Sequence, residues 1–179
     1  DETTAAANGG TALQSDTFGE MLVKKRYEAP GHQILLVSGS NKSRPWTTIV
    51  NENHIEAAKG IADYMYYESN LGEETPARSW QWMKIDILRS IALKMITTRT
   101  AQRYRYILWV DDDILLRPLA GWIYDYTSKM NAATPAAWML IAKDAGTGSS
   151  VNTGMMLFNF SSDHEDKDVN LPIYLVMFH

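Results

Sequence analysis

Tyr106-Ile107-Leu108-Trp109-Val110-Asp111-Asp112-Asp113-Ile114-Leu115-Leu116 is the most informative stretch of this chain. Five apolar or aromatic residues run into three consecutive carboxylates, and a second apolar triplet follows. The first run is too short for an ordinary helix and reads as a strand buried on both faces. Such a strand belongs in the middle of a sheet covered by helices. Its carboxylates then stand at the C-terminal edge, where open α/β sheets bind ligands. Three adjacent like charges repel one another, and burying them unpaired is costly. A divalent cation removes that cost. Hard oxygen ligands suit Mg²⁺ or Mn²⁺, which take one or two carboxylates together with substrate phosphate oxygens. In an extended segment Asp111 and Asp113 face one side and Asp112 the other. Asp111 and Asp113 are therefore expected to share the metal. The plain alternative is a solvated acidic turn at a strand end, because a short motif needs structural context.

Working outward, the 179 residues are enough for one domain with its own core. With 45% hydrophobic and 21% charged residues, the composition is that of an ordinary globular protein. A net charge of −4 gives no basic footprint and argues against nucleic acid as the main partner. Cysteine is absent, which excludes disulfides and thiolate metal sites. No stretch approaches the roughly 20 apolar residues of a membrane span. The chain begins at Asp1 rather than Met, which leaves room for an upstream signal or membrane anchor outside it. The pattern Asn-x-Ser/Thr occurs at Asn41 and at Asn159 and leans slightly towards a secretory compartment.

Before the central strand, residues 1–17 lack periodicity and are expected to form a disordered lead-in, with the folded domain over 18–179. Phe18 to Tyr27 reads as a short helix or a loop. Gln33 to Ser38 is the first clear strand. It ends in Ser38-Gly39-Ser40-Asn41, small polar residues of the kind that let a ligand approach the backbone, with Ser38 as the contact candidate. Neither G-x-G-x-x-G nor G-x-x-x-x-G-K-[ST] is present. A helix is expected from Asn53, capped there with Glu56 three residues on, and a strand over Tyr64 to Tyr67. Ser79 to Thr98 carries apolar residues four apart at Met83, Ile87, Ile91 and Met95, which predicts a long amphipathic helix. Arg99, Arg103 and Arg105 read as solvated.

Beyond the acidic triplet, Pro118 suits the first turn of a helix with the stripe Leu119, Trp122, Ile123, Tyr126 and Met130. Trp138 to Ala142 and Met155 to Phe158 read as further strands, the latter preceded by Asn152-Thr153-Gly154. The four histidines show no metal-ligand spacing. Strands alternating with helices predict an α/β fold with a mostly parallel sheet and helices on both faces.

Four pieces thus follow one another: Trp82-Met83-Lys84 on a helix, Asp111-x-Asp113 after a strand, Asp144 in a loop, and Asn152-Thr153-Gly154 before a strand. Asp-x-Asp after an apolar strand resembles the signature of nucleotide-sugar glycosyltransferases of the GT-A fold. The full order resembles the galactosyl-, mannosyl- and xylosyltransferase family typified by yeast Golgi α-1,2-galactosyltransferases and mannan polymerase subunits, over roughly residues 33–160. That resemblance implies a GT-A fold, a UDP- or GDP-linked sugar donor, a glycan or glycoprotein acceptor, Mn²⁺ (or Mg²⁺), retention of anomeric configuration and a location in the Golgi lumen. It gives Asp111 and Asp113 to the metal. Ser38, Lys84, Asp112 and Asp144 go to the nucleotide sugar, and Asn152, Thr153 and Gly154 to donor or acceptor sugar. Family catalytic domains extend further and use a late histidine in the metal shell. Here His179 is the last residue and takes no assigned role, so a C-terminally truncated domain is expected. Two rival readings remain open: a non-catalytic or degenerate glycan- or nucleotide-binding domain, and a phosphotransfer domain with Asp111 or Asp112 as nucleophile.

Overall fold

The computed structural model describes residues 21–28, 31–69, 83–97, 103–133, 137–142 and 151–160. In chain order these form β1 (Met21–Tyr27), β2 (Ile34–Ser40), α1 (Thr47–Ala58), β3 (Asp63–Ser69), α2 (Met83–Thr97), β4 (Tyr106–Val110), a 3-10 turn (Leu119–Gly121), α3 (Ile123–Ala132), β5 (Met139–Ala142) and β6 (Asn152–Asn159). The strands make one six-stranded open sheet in the order β1-β3-β2-β4-β6-β5.

The expected parallel pairing holds in the middle. β2 pairs in parallel with β3 on one side and with β4 on the other. The flanks are antiparallel: β1 on β3, β6 on β4, and β5 on β6. Side chains alternate along the central strands, as the strand period requires. Ile34 and Leu36 of β2 and Tyr106, Leu108 and Val110 of β4 enter one core with residues of α1 and α3. Leu35 and Val37 of β2 and Ile107 and Trp109 of β4 enter the other with Ile87, Leu88 and Ile91 of α2. Both faces are thus covered, which is why these strands read as unbroken apolar runs. Chain direction from β2 departs through α1 to β3 on one side, then returns through α2 to β4 on the other. The switch point falls between the carboxyl ends of β2 and β4.

Several expectations are corrected. Residues 21–27 form neither helix nor loop but an edge strand, because β3 offers a free edge for antiparallel pairing. The helix begins at Thr47, six residues before Asn53. Asn53 is therefore mid-helix and does not cap it. The first strand runs two residues past its expected end at Ser38, since Gly39 and Ser40 also pair with Tyr67 and Glu68 of β3. Asn152-Thr153-Gly154 opens β6 itself. In α3, Thr127 turns inward and Tyr126 is exposed, with its ring edge-on to Trp122 at 5.7 Å. Arg103 is not simply solvated: its Nη2 stands 2.9 Å from the buried carboxylate of Asp63. Asn159 is buried in β6, so its glycosylation pattern is not presented by the folded chain. No helix among the described residues is long and apolar enough to cross a membrane. The lead-in at 1–17, Ser79, Trp82, Arg99, Asp144 and His179 lie outside the described residues.

Candidate functional site

The strand β4 delivers its carboxylates to the edge of the switch point. The Asp111 amide donates to the Gly154 carbonyl at 2.8 Å, which extends the β4–β6 ladder by one residue. The segment does not then stay extended. The Ile114 amide donates back to the Asp111 carbonyl at 3.2 Å, closing a turn over 111–114. All three carboxylates line one cleft with Gly39, Ser40 and Asn41 from the end of β2 and with Arg44, Lys84 and Trp109. Its volume is about 200 Å³, below the roughly 300–1,000 Å³ of complete small-molecule pockets. That is room for the charged end of a ligand.

From the α2 side, Lys84 Nζ lies 2.8 and 3.0 Å from the two oxygens of Asp111. It also donates to Thr153 at 3.1 Å (carbonyl) and 3.3 Å (hydroxyl). Its side chain is only 13% exposed, so it is not an ordinary solvated helix lysine. Trp109 Nε1 donates to Asp111 Oδ1 at 2.6 Å. Asp111 is thereby fixed by a cation, an indole and a backbone bond. Gly154 is explained by the same contacts. A Cβ there would stand 2.9 Å from Asn152 Oδ1, 3.1 Å from Ile114 Cδ1 and 3.5 Å from Asp111 Oδ2. The glycine lets β6 pass directly beneath the acidic turn, while Asn152 Oδ1 accepts the Gly154 amide at 2.8 Å.

From the α1 side, Arg44 Nε stands 3.3 Å from Asp112 Oδ2 and donates to Ser40 Oγ at 3.3 Å. The Arg44–Asp112 approach is an ion pair without hydrogen-bond geometry, and it leaves the buried Asp112 Oδ2 with no donor. Trp46 Nε1 donates to the Asp112 carbonyl at 3.1 Å, and Arg44 lies over the Trp46 ring at 5.5 Å. Within α1, His54 Nε2 bonds the Ile114 carbonyl at 2.8 Å. Asn53 binds Leu116 twice: Nδ2 donates to its carbonyl at 3.1 Å and Oδ1 accepts its amide at 2.7 Å. His54 is fully buried, and desolvation lowers its pKa against the opposing pull of the Ile114 carbonyl and the Asp112 charge. Its Nδ1 has no partner, and its ring meets Tyr64 edge-on at 5.6 Å.

The aspartates can hold a divalent cation in one way. Asp113 is exposed and Asp112 keeps a buried oxygen without a donor, both hard ligands of the kind Mg²⁺ and Mn²⁺ take. Asp111 is already engaged by Lys84 and Trp109. No group of three or more His, Cys, Asp or Glu forms a ready cage among the described residues. The set fits a cation that shares its shell with ligand oxygens rather than one enclosed by protein alone.

Of the predicted residues, the structure brings together Lys84, Asp111, Asp112, Asp113, Thr153 and Gly154, with Asn152 bracing Gly154. Ser38 is buried behind the cleft wall, and the next three residues form that wall. Sequence reasoning missed Arg44, Trp46, Asn53 and His54. Asn53 and Trp46 lie seven residues apart, two helical turns, and this spacing is the one signal that would have grouped them.

No family model matches the chain, and no curated protein sequence does. Among solved structures, it is similar to the crystal structure of a glycosyltransferase involved in the glycosylation of the major capsid of PBCV-1. The two share 22% identity and a TM-score of 0.50, over 71% of this chain and 59% of that one. The chain thus spans about three fifths of the length of that protein. The likeness shows a shared mixed α/β fold.

Proposed function

We propose that this domain is a metal-dependent glycosyltransferase of GT-A type. It would move a sugar from a UDP- or GDP-linked donor to a glycan or glycoprotein acceptor, with retention of configuration, in the lumen of the secretory pathway. One observation carries the proposal: the Asp111-Asp112-Asp113 turn stands at the carboxyl end of β4, at the switch point, in a cleft shared with Lys84 and Arg44. The likeness in fold to a glycosyltransferase supports it.

Each residue has a task in this reading. Asp113, with Asp112 beside it, would hold Mn²⁺ (or Mg²⁺) near the donor diphosphate, and Asp111, engaged by Lys84 and Trp109, would border that shell. A cation so placed neutralises charge on the diphosphate leaving group. Lys84 holds Asp111 in position and would present a compact cation towards phosphate. Gly39 to Asn41 offer close backbone approach to the nucleoside, with Ser38 supporting them from the core side. Asn152, Thr153 and Gly154 border the sugar end, and Asp144 is assigned to donor-sugar hydroxyls.

Calorimetric titration with UDP and GDP, with and without Mn²⁺, tests the proposal. We expect Mn²⁺-dependent binding of at least one, and its loss in Asp113→Ala. Undiminished Mn²⁺-dependent binding by that variant would refute the metal assignment. Binding without sugar transfer or donor hydrolysis would favour the non-catalytic reading.

A further inference from the structure

Beyond Asp111, whose amide pairs with Gly154 of β6, the segment that leaves β4 is held by side chains from the α1 side. The three carbonyls taken from the α1 side belong to Asp112, Ile114 and Leu116. These are alternate residues along the turn and the segment that follows it. β2 ends at Ser40, and no strand among the described residues pairs with this segment on the α1 side. Trp46, at the start of α1, and Asn53, two turns on, supply the missing partner with His54. Asn53 does so from both sides of its amide, as a strand residue would.

The setting of His54 argues that this bond has a purpose beyond filling space. A fully buried imidazole with an unpartnered nitrogen costs stability that a phenyl ring of similar size would not. Its ring is fixed by edge contact with Tyr64, whose hydroxyl in turn donates to Asn51 at 2.5 Å. The donor is therefore held rigidly at one point, and the point it meets is the residue directly after Asp113.

We propose that Trp46, Asn53 and His54 are positioning residues that template the acidic turn, setting where Asp112 and Asp113 stand for a divalent cation and a nucleoside diphosphate. This inference rests on the transferase reading of the cleft. Outer-shell partners of metal ligands contribute roughly 10- to 100-fold to metal affinity, and these three act one step further out, through the backbone.

The test compares His54→Phe, which keeps the ring and drops the donor, with His54→Gln, which restores a donor, and with Asn53→Leu. Each is measured for urea midpoint and for calorimetric affinity towards UDP and GDP with Mn²⁺. We expect His54→Phe and Asn53→Leu to fold and to bind about tenfold more weakly or worse, and His54→Gln to recover most of the loss. A merely structural role would track the urea midpoint and show no such recovery. If His54→Phe does not fold, Asn53→Leu, which removes both bonds to Leu116 and adds no charge, carries the same two outcomes. Wild-type affinity in the folded variants overturns this inference alone. A wild-type protein that binds neither nucleotide with Mn²⁺ overturns the transferase reading and this inference with it.

Discussion

Gly154 is tightly constrained, because three groups of the site crowd the place where a side chain would begin. Two of them, Asn152 Oδ1 and Ile114 Cδ1, stand at 2.9 and 3.1 Å, closer than a methyl group tolerates. Asn152 Oδ1 is held by its bond to the Gly154 amide, whereas the Ile114 side-chain end can give by a few tenths of an ångström. Gly154→Ala should therefore cost about 1–3 kcal/mol, as overpacking does, measured as a lower urea midpoint. It should also move Asp111 relative to Lys84 and weaken Mn²⁺-dependent nucleotide binding. A Gly154→Ala protein with the wild-type midpoint and affinity would mean that β6 and the acidic turn yield more easily than these contacts suggest. The same residue marks where the sequence was and was not informative. Its grouping with the acidic triplet was expected from Asn-Thr-Gly before an apolar run, and the structure sets it against Asp111. Its packing against Ile114 and Asp111 was not, because it depends on β6 lying antiparallel beside β4, a pairing that no local pattern encodes.

At the scale of elements, the apolar runs at 34–37 and 106–110 were legible because burial on both faces leaves no polar residue to confuse the period. The start of α1 was not. Thr47 and Asn53 are both plausible beginnings, and the long-range pull of Leu116 on Asn53 overrides the local capping pattern. Likewise, β1 forms only because β3 is there to pair with it. α1 also makes stability depend on pH through His54. Burial lowers this imidazole below its ordinary 6.5, so at mildly acid pH the unfolded chain binds a proton that the folded chain does not. A group with a lowered folded pKa of this kind leaves stability intact above the unfolded value. Stability is then lost as pH falls from about 6.5 towards the folded value, and changes no further below it. Urea midpoints taken at about pH 7.5 and about pH 5.5 should therefore show a drop in the wild type that is smaller in His54→Phe. Equal drops in both proteins would remove His54 as the source.

Across the sheet, the acidic cleft stands apart from a second cluster of charged and polar groups. The cleft occupies the carboxyl edge of the parallel core, whereas Asp63 begins β3 at the opposite edge and is fully buried. Its Oδ1 meets His32 Nδ1 at 2.9 Å. Its Oδ2 accepts the Tyr104 hydroxyl at 2.5 Å and faces Arg103 at 2.9 Å. These partners come from the segment before β2 and the segment before β4, so one carboxylate ties the beginnings of all three parallel strands. Burial and the bond to Asp63 raise the Tyr104 pKa, as expected of a phenol that stays protonated while it donates. Asp63→Ala would strand a largely buried histidine and hydroxyl, while Arg103, 34% exposed, can turn to water. Removing one partner of a buried charged pair costs about 3–5 kcal/mol, and the solvent available to Arg103 places the loss near 3. Against a total of roughly 5–15 kcal/mol for a domain, that should lower the urea midpoint sharply. The cleft lies a strand's length away and shares none of these residues, so whatever affinity the wild type shows for UDP or GDP with Mn²⁺ should be unchanged in the folded fraction when titrated in the cold. A wild-type midpoint would show that the cluster contributes little. A loss of affinity in fully folded Asp63→Ala would show that the two edges are coupled through β2 and β4, and the division of labour across the sheet would have to be abandoned.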